Sequence, residues 1–326
     1  MATLTIRSPE TGPPEVQKAP QCEVPAAGSP LTRAVLVGPS RQAVVLASFP
    51  TALYLSVGGH HDVLPVLASD ALMLPTGTRL SAPGRDMAWG VGPGDIVTVG
   101  RSGIRLPDWR IRLVREWRPA RVRAVPTLAA PGSLSEVVDL LSRRASTAEL
   151  VDQASAVCRA ARRGEDAEVR RGVQHLLGAG QGLTPSGDDV LCAVLLVLGG
   201  IGDPAPVALL GAAVADGWTR TTSLSASLLD TARRGFTVPQ VAALVETSLG
   251  GNLAGVGESL TRVLAIGHSS GRDLVAGLAG SLSAFTDSRP NTPPAPFQAV
   301  NALETVPGQC SQSSLTHPGP RQWRNR

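Results

Sequence analysis

Hydrophobic and polar positions along this chain change their rhythm once, and that change divides it. Between Leu31 and Val125 the apolar residues come in short, β-branched runs broken by Gly and Pro: Ala34-Val35-Leu36-Val37, Ala43-Val44-Val45-Leu46, Leu53-Tyr54-Leu55-Ser56-Val57, Ile96-Val97-Thr98-Val99 and Arg110-Ile111-Arg112-Leu113-Val114. Runs of this length between turn residues predict strands, and their spacing suits a small antiparallel sheet or barrel. After Pro131 the apolar residues recur three and four apart over much longer segments, which is the helical period. Ser133 and Glu136 have capping-box spacing ahead of Val137-Val138-Asp139-Leu140-Leu141, placing a helix start there. Further helices are predicted at about 147–163, 166–177, 188–199, 205–217, 222–234, 239–249, 256–266 and 272–285, most of them stopped by glycine as C-terminal capping favours.

The predicted fold is therefore α+β, with an N-terminal β-rich sheet or small barrel over 30–125 followed by an all-helical C-terminal domain over 131–286. The two ends lack any apolar period. Residues 1–29 carry Pro9, Pro13, Pro14, Pro20 and Pro25, and 287–326 run through Pro290, Pro293, Pro294 and Pro296 into a Gln/Ser/Arg tail. Both read as disordered, because they bury too little apolar surface to offset their ordering entropy.

The net charge is +4, yet Lys18 is the only lysine and every other cationic side chain is arginine. That skew is what GC-rich coding produces, so it does not argue for a nucleic-acid partner. The densest run, Arg101, Arg105, Arg110, Arg112, Arg115, Arg118, Arg121 and Arg123 against Asp108 and Glu116, has few aromatic residues and no recognition-helix pattern. It reads as a solvated strand face. Cys22, Cys158, Cys192 and Cys310 are scattered without the paired spacing of zinc or redox motifs, which points to a reducing compartment. No charged segment followed by an apolar core opens the chain, and the apolar run Val190 to Ile201 is shorter than the roughly 20 residues a membrane span needs. A cytoplasmic protein with no membrane partner is expected.

Candidate chemistry gathers on the loop Gly178-Ala179-Gly180-Gln181-Gly182-Leu183-Thr184-Pro185-Ser186-Gly187-Asp188-Asp189. Its glycines permit positive φ and close backbone approach to a ligand, and they stand where a helix begins. Helix-start amides have no internal partner and favour an anion, with Thr184 and Ser186 adding hydroxyl donors. Neither a P-loop lysine nor a strand-borne G-x-G-x-x-G register is present. Asp188 and Asp189 complicate an anion site: either they hold a Mg²⁺ that bridges to the ligand, or they only cap, with Ser186 as N-cap and Asp189 three residues on. Ser270-Gly271-Arg272-Asp273 repeats the Ser-Gly-x-Asp order at a second helix start, just after His268. A lone histidine on a turn is more often a structural hydrogen-bonder than a catalyst, and His60, His61 and His175 carry still less signal. A third segment, Thr219-Arg220-Thr221-Thr222-Ser223-Leu224-Ser225-Ala226-Ser227, packs hydroxyls and one guanidinium around another helix start, where Arg220 either forks onto a carboxylate or phosphate or lies in solvent beside an ordinary cap.

These three segments, G-x-G-x-GLTPSGDD, TTxLSxxLL and IGHSSGxD, resemble the oxamate carbamoyltransferase subunit AllH family from about His175 to Gly280. Gly182 to Asp189, then Thr221, Thr222, Ser225, Leu228 and Leu229, then Gly267, His268, Ser270, Gly271 and Asp273 follow the family order. The β-rich half is similar only in style. The resemblance implies a cytoplasmic subunit working with AllF-like and AllG-like partners in allantoin breakdown, interconverting oxamate plus carbamoyl phosphate with oxalurate plus phosphate. It implies a small anionic substrate such as carbamoyl phosphate or oxamate, for which Gly180, Gly182, Thr184, Ser186, Gly187, Arg220, Thr221, Thr222, Ser225, Ser270, Gly271 and Asp273 are the binding candidates. The family carries over no residue-level catalytic assignment; on the chemistry of the residues themselves Asp188, Asp189 and His268 are the catalytic candidates. The alternative is a non-catalytic scaffold or small-anion-sensing subunit that docks partner proteins. Trp218-Thr219-Arg220-Thr221 lacks the serine of the Ser-x-Arg-Thr phosphate loop of ordinary carbamoyltransferases, so that fold is not expected.

Overall fold

The computed structural model describes residues 22–286. The strands β1 (Cys22–Gly28), β2 (Arg41–Phe49), β3 (Ala52–Ser56), β4 (Val63–Leu67), β5 (Thr78–Leu80), β6 (Ile96–Gly100), β7 (Gly103–Arg105) and β8 (Trp109–Glu116) close into a barrel in the order β1-β5-β4-β3-β2-β6-β7-β8. Two neighbouring pairs, β1 with β8 and β4 with β5, run parallel, so the barrel is mixed rather than antiparallel. Inward residues such as Val24, Val45, Leu55, Val66, Val99 and Ile111 alternate with outward ones and fill the lumen.

Two expectations fail in this half. Ala34 to Val37 is not a strand but most of a short helix, α1 (Arg33–Val37). Ser29 and Pro30 explain it: the serine hydroxyl accepts from the Leu31 amide, proline fixes its own φ, and the chain turns directly into a helical stub whose Leu36 plugs the barrel core. The second failure is β1 itself, which lies inside the segment expected to be disordered. Pro25 is tolerated there beside a register shift at Ala26/Ala27, and its carbonyl still accepts from the Ser81 amide. Residues 1–21 and 287–326 lie outside the described residues.

The helical region comprises α2 (Pro131–Ser142), α3 (Ala148–Arg163), α4 (Asp166–Leu176), α5 (Ser186–Ile201), α6 (Pro204–Ala215), α7 (Ser223–Arg233), α8 (Pro239–Leu249), α9 (Leu253–Leu264) and α10 (Ser270–Thr286). Two predicted caps are absent. Helix α2 starts at Pro131, before the Ser133–Glu136 pair, and Ser186 is the first residue of α5 rather than its N-cap, which is Pro185. Proline explains both shifts, since its preset φ and missing N–H suit a helix start without a side-chain cap. Helix α5 is apolar on every side and lies at the centre, packed by α3, α4, α6, α7, α8 and α10.

One strand ties the two halves together. All five residues of β4 are buried because both its faces are covered: Leu64 and Val66 point into the barrel, while Val63 and Leu67 join the core of the helical region.

Candidate functional site

The three helix starts singled out by sequence meet at the N-terminal end of α5. The loop from α4 to α5 takes positive φ at Gly178, Gly180 and Gly182 and folds back onto α7 and α10. Its Leu183 carbonyl accepts from the Thr222 hydroxyl at 2.6 Å and the Ser225 hydroxyl at 3.5 Å, clamping it to α7. The Thr184 hydroxyl pairs with that of Ser270 at 2.8 Å, clamping it to α10. Thr222 is also the N-cap of α7, accepting from the Ser225 amide.

The repeated Ser-Gly-x-Asp order has a packing reason. Gly187 lies against the Leu176 carbonyl at the end of α4, and Gly271 lies against the Val263 carbonyl near the end of α9. A Cβ at either glycine would run into that backbone oxygen. Each pair lets one helix start directly on the end of the previous one, and each delivers an aspartate, Asp189 or Asp273, to the buried space between α5 and α10.

Consecutive aspartates on α5 have opposite fates. Asp188 is buried, and its two oxygens are taken: Oδ1 accepts from the Gly178 amide at 2.8 Å and Oδ2 from the Thr221 hydroxyl. It fastens the loop to the start of α7. Asp189, 5% exposed, keeps Oδ2 without any hydrogen-bond partner, and so does Asp273, 1% exposed. Burial raises the pKa of both α5 carboxyls, moderately for Asp188, where the Thr221 and Gly178 hydrogen bonds oppose it. Asp189 is pushed well above the ordinary range, first by burial, then by the nearby charges of Asp273 and Asp188, with the Ser270 hydroxyl acting against the shift.

Asp189 forms part of the wall of a cleft of about 490 Å³ between barrel and helices, a volume that suits a small molecule. The barrel contributes Phe49, Tyr54, Leu72 and Leu74; the helices contribute Leu183, Leu224, Phe236, Val241, Ile266 and Leu274. Thr184, Thr231, Thr237, Ser270 and Asp189 are polar side chains of the helical region that line it, and among the described residues no lysine or arginine belongs to the wall. Cys192, one turn along α5, also faces it, its thiol held well above its usual pKa by burial and the neighbouring aspartates.

The anion cradle expected from the glycines is largely filled by the loop itself. The Gly187 amide donates to the Ala179 carbonyl, and the Asp188 and Asp189 amides donate to the Pro185 carbonyl. Gly180 and Gly182 sit exposed on the loop crest, and Ser186 is half-buried. Arg220 is exposed and donates from Nη2 to the Gln174 carbonyl at 2.7 Å, so it satisfies the C-terminal end of α4 rather than waiting for a ligand. His268 is exposed on the turn before α10, next to the cleft-lining Gly267. Among the described residues no group of three or more His, Cys, Asp or Glu side chains is arranged to hold a metal ion.

The residue that sequence reasoning undervalued is His60. It stands on the turn between β3 and β4, and its Nε2 lies 2.9 Å from the Thr221 carbonyl, with Nδ1 3.4 Å from the Ser223 hydroxyl. His61 beside it stacks on Trp218, ring centres 3.9 Å apart. The barrel thus grips the same threonine whose hydroxyl holds Asp188. The His-His doublet was visible in the sequence, but its partner lies 161 positions away.

Residues 176–282 match the family model for the oxamate carbamoyltransferase subunit AllH. The matched stretch runs from the end of α4 into α10 and contains all three converging helix starts, while the barrel lies outside it. No curated protein and no solved structure matches the chain. No helix among the described residues is long and apolar enough to cross a membrane.

Proposed function

We propose that this chain is an AllH-type subunit of an oxamate carbamoyltransferase complex, in which Asp189 receives the N–H group of the carbamoyl acceptor. The observation that carries this reading is the unpartnered, buried Oδ2 of Asp189 on the cleft wall, within the matched stretch. Buried carboxylate oxygens are normally hydrogen-bonded, and one left without a partner on a residue that lines a cleft is a place for a donor.

In the proposed reaction the amide nitrogen of oxamate attacks the carbamoyl carbon of carbamoyl phosphate. The new C–N bond forms as the C–O bond to phosphate breaks, phosphate leaves with the electron pair, and the nitrogen gives its proton to Asp189. A carboxylate whose pKa is raised is a stronger base for that proton once ionised. Thr184 and Ser270, joined by their hydroxyls, orient the acceptor beside it.

Both substrates are anions, and the cleft wall carries no arginine or lysine. Their charged ends therefore point outward, past the exposed crest at Gly180 and Gly182 and past His268, toward positive charge supplied by AllF-like and AllG-like subunits. Asp188, Thr221, Thr222, Ser225, Gly187, Gly271 and Asp273 hold the geometry of the site.

The test is oxamate-dependent phosphate release by the chain reconstituted with AllF-like and AllG-like subunits. Asp189→Asn is expected to slow it by about 10² to 10⁴, the usual worth of a positioned base, with the complex still assembled. Full activity without this chain, or with Asp189→Asn, removes the reading. A second reading, a scaffold subunit, is favoured by Phe49 and Leu183, apolar side chains 44% and 38% exposed that also line the cleft. It predicts that Asp189→Asn is silent and that Leu183→Glu prevents assembly.

A further inference from the structure

A second cavity, of about 390 Å³, carries the positive charge that the cleft lacks. Arg121 comes to it from the segment that leaves the barrel, Arg233 and Arg234 from the end of α7, and Gly202, Asp203 and Pro204 from the turn into α6. Arg121 belongs to the dense arginine run of the sequence, but it is not part of a strand face. A short antiparallel bridge pairs it with Phe236, flanked by hydrogen bonds from the Val122 amide to the Gly235 carbonyl and from the Thr237 amide to the Ala120 carbonyl. The barrel's exit segment is thereby fixed against the loop after α7.

The guanidiniums lie within cation–π range of aromatic rings. Those of Arg121 and Arg234 lie 5.5 and 5.8 Å from the centre of the Phe236 ring, and that of Arg233 lies 5.7 Å from Trp218. Contacts at this range attract a cation to the ring face. Their charge is only partly answered. Arg233 and Arg234 share one carboxylate, Asp230, and among the described residues Arg121 has no carboxylate partner. Asp203, the acid among the cavity's lining residues, accepts from the Ala205 amide as the cap of α6. Because Pro204 and Pro206 have no N–H, the α6 start offers few amides, and recognition falls to the arginines.

We propose that this cavity binds a small oxyanion of the phosphate class, held by Arg121, Arg233 and Arg234. Planar guanidinium forks match tetrahedral phosphate oxygens, and three around one pocket favour a compact, multiply charged anion over a single carboxylate. The remaining wall combines Gly199, Gly202, Gly211 and Gly235 with Val122, Pro204, Val207, Ala208 and Asp203. Arg233 packs beside Gly211 and Arg121 beside Gly235, at ordinary van der Waals distance from where a Cβ would stand. The proposal is independent of the role given to Asp189.

Titration calorimetry of the full chain with pyrophosphate, at about 0.15 M ionic strength so that unfocused surface attraction is screened, tests it. Saturable binding at one site is expected, weakened at least about tenfold by Arg121→Met or Arg234→Met, which keep apolar contact with Phe236, and by Arg233→Lys, which keeps charge but loses the fork. The remote barrel variant Arg110→Met is expected to bind as the wild type does. Thermal midpoints of all four variants identify any that fold poorly, and Arg233→Lys alone then decides. No saturable binding, equal loss in Arg110→Met, or undiminished binding in Arg233→Lys overturns the proposal.

Discussion

The two sides of the α5 start use neighbouring residues for opposite purposes. On the side facing α4 and α7, Asp188 has both oxygens occupied and joins the Gly178 amide to Thr221, which His60 of the barrel holds by its carbonyl. On the side facing α10 and the cleft, Asp189 and Asp273 each keep a buried oxygen with no partner. A satisfied buried carboxylate stabilises; an unsatisfied one costs stability and is retained where a ligand completes it. The difference separates Asp188, which fastens the loop, from Asp189, the α5 aspartate on the cleft wall that is proposed to act.

Breaking the building side should have the largest effects. Gly187→Val drives a branched side chain into the Leu176 carbonyl, a backbone atom that cannot move aside, and no cooperative thermal transition is expected from the purified protein. Asp188→Ala strands the Gly178 amide and the Thr221 hydroxyl, and a loss of about 3 kcal/mol is expected in urea unfolding, since hydrogen bonds to a charged group are worth roughly 1.5–3 kcal/mol each. His60→Ala removes one barrel contact to Thr221 and should cost about 1 kcal/mol in the same measurement.

The acting side should show itself through pH. Asp189 has a raised pKa in the folded chain, so between the ordinary carboxylate value and the raised one the folded state binds more protons than the unfolded state. Stability conferred by the protonated group is present at low pH and is lost as pH rises through that window. Thermal midpoints of the wild type should therefore fall from pH 4 upward more steeply than those of Asp189→Asn, which cannot ionise. The smallest effect is expected from His268→Ala: the side chain is exposed and outside the cleft wall, so the stability in urea unfolding should stay within about 0.5 kcal/mol of wild type. A large loss of complex activity in that variant would place a substrate end at the cleft mouth.

Much of this was legible from residue order. The helical period located α3 through α10 to within a few residues, and the repeated Ser-Gly-x-Asp order marked two helix starts that do share one site. What local pattern could not carry was long-range. Strand β1 hides in a proline-containing stretch because its pairing with β8 is made with residues about 90 positions away, and α1 has the composition of a strand but the Ser29-Pro30 turn of a helix. The glycines of the 178–187 loop pointed to close backbone approach, and the approach is real. Its object is the protein's own Leu176, Arg220 and Pro185 backbone, which spacing alone could not tell from a bound anion. The match over 176–282 covers the site and leaves the barrel, which supplies one wall of the cleft, to be read from structure alone.

The most direct measurement pairs activity with stability for Asp189→Asn in the reconstituted complex. The account predicts oxamate-dependent phosphate release reduced by at least about 10², with a thermal midpoint at pH 8 equal to or above that of the wild type. Release within a fewfold of wild type, or a loss that only follows unfolding, would contradict it.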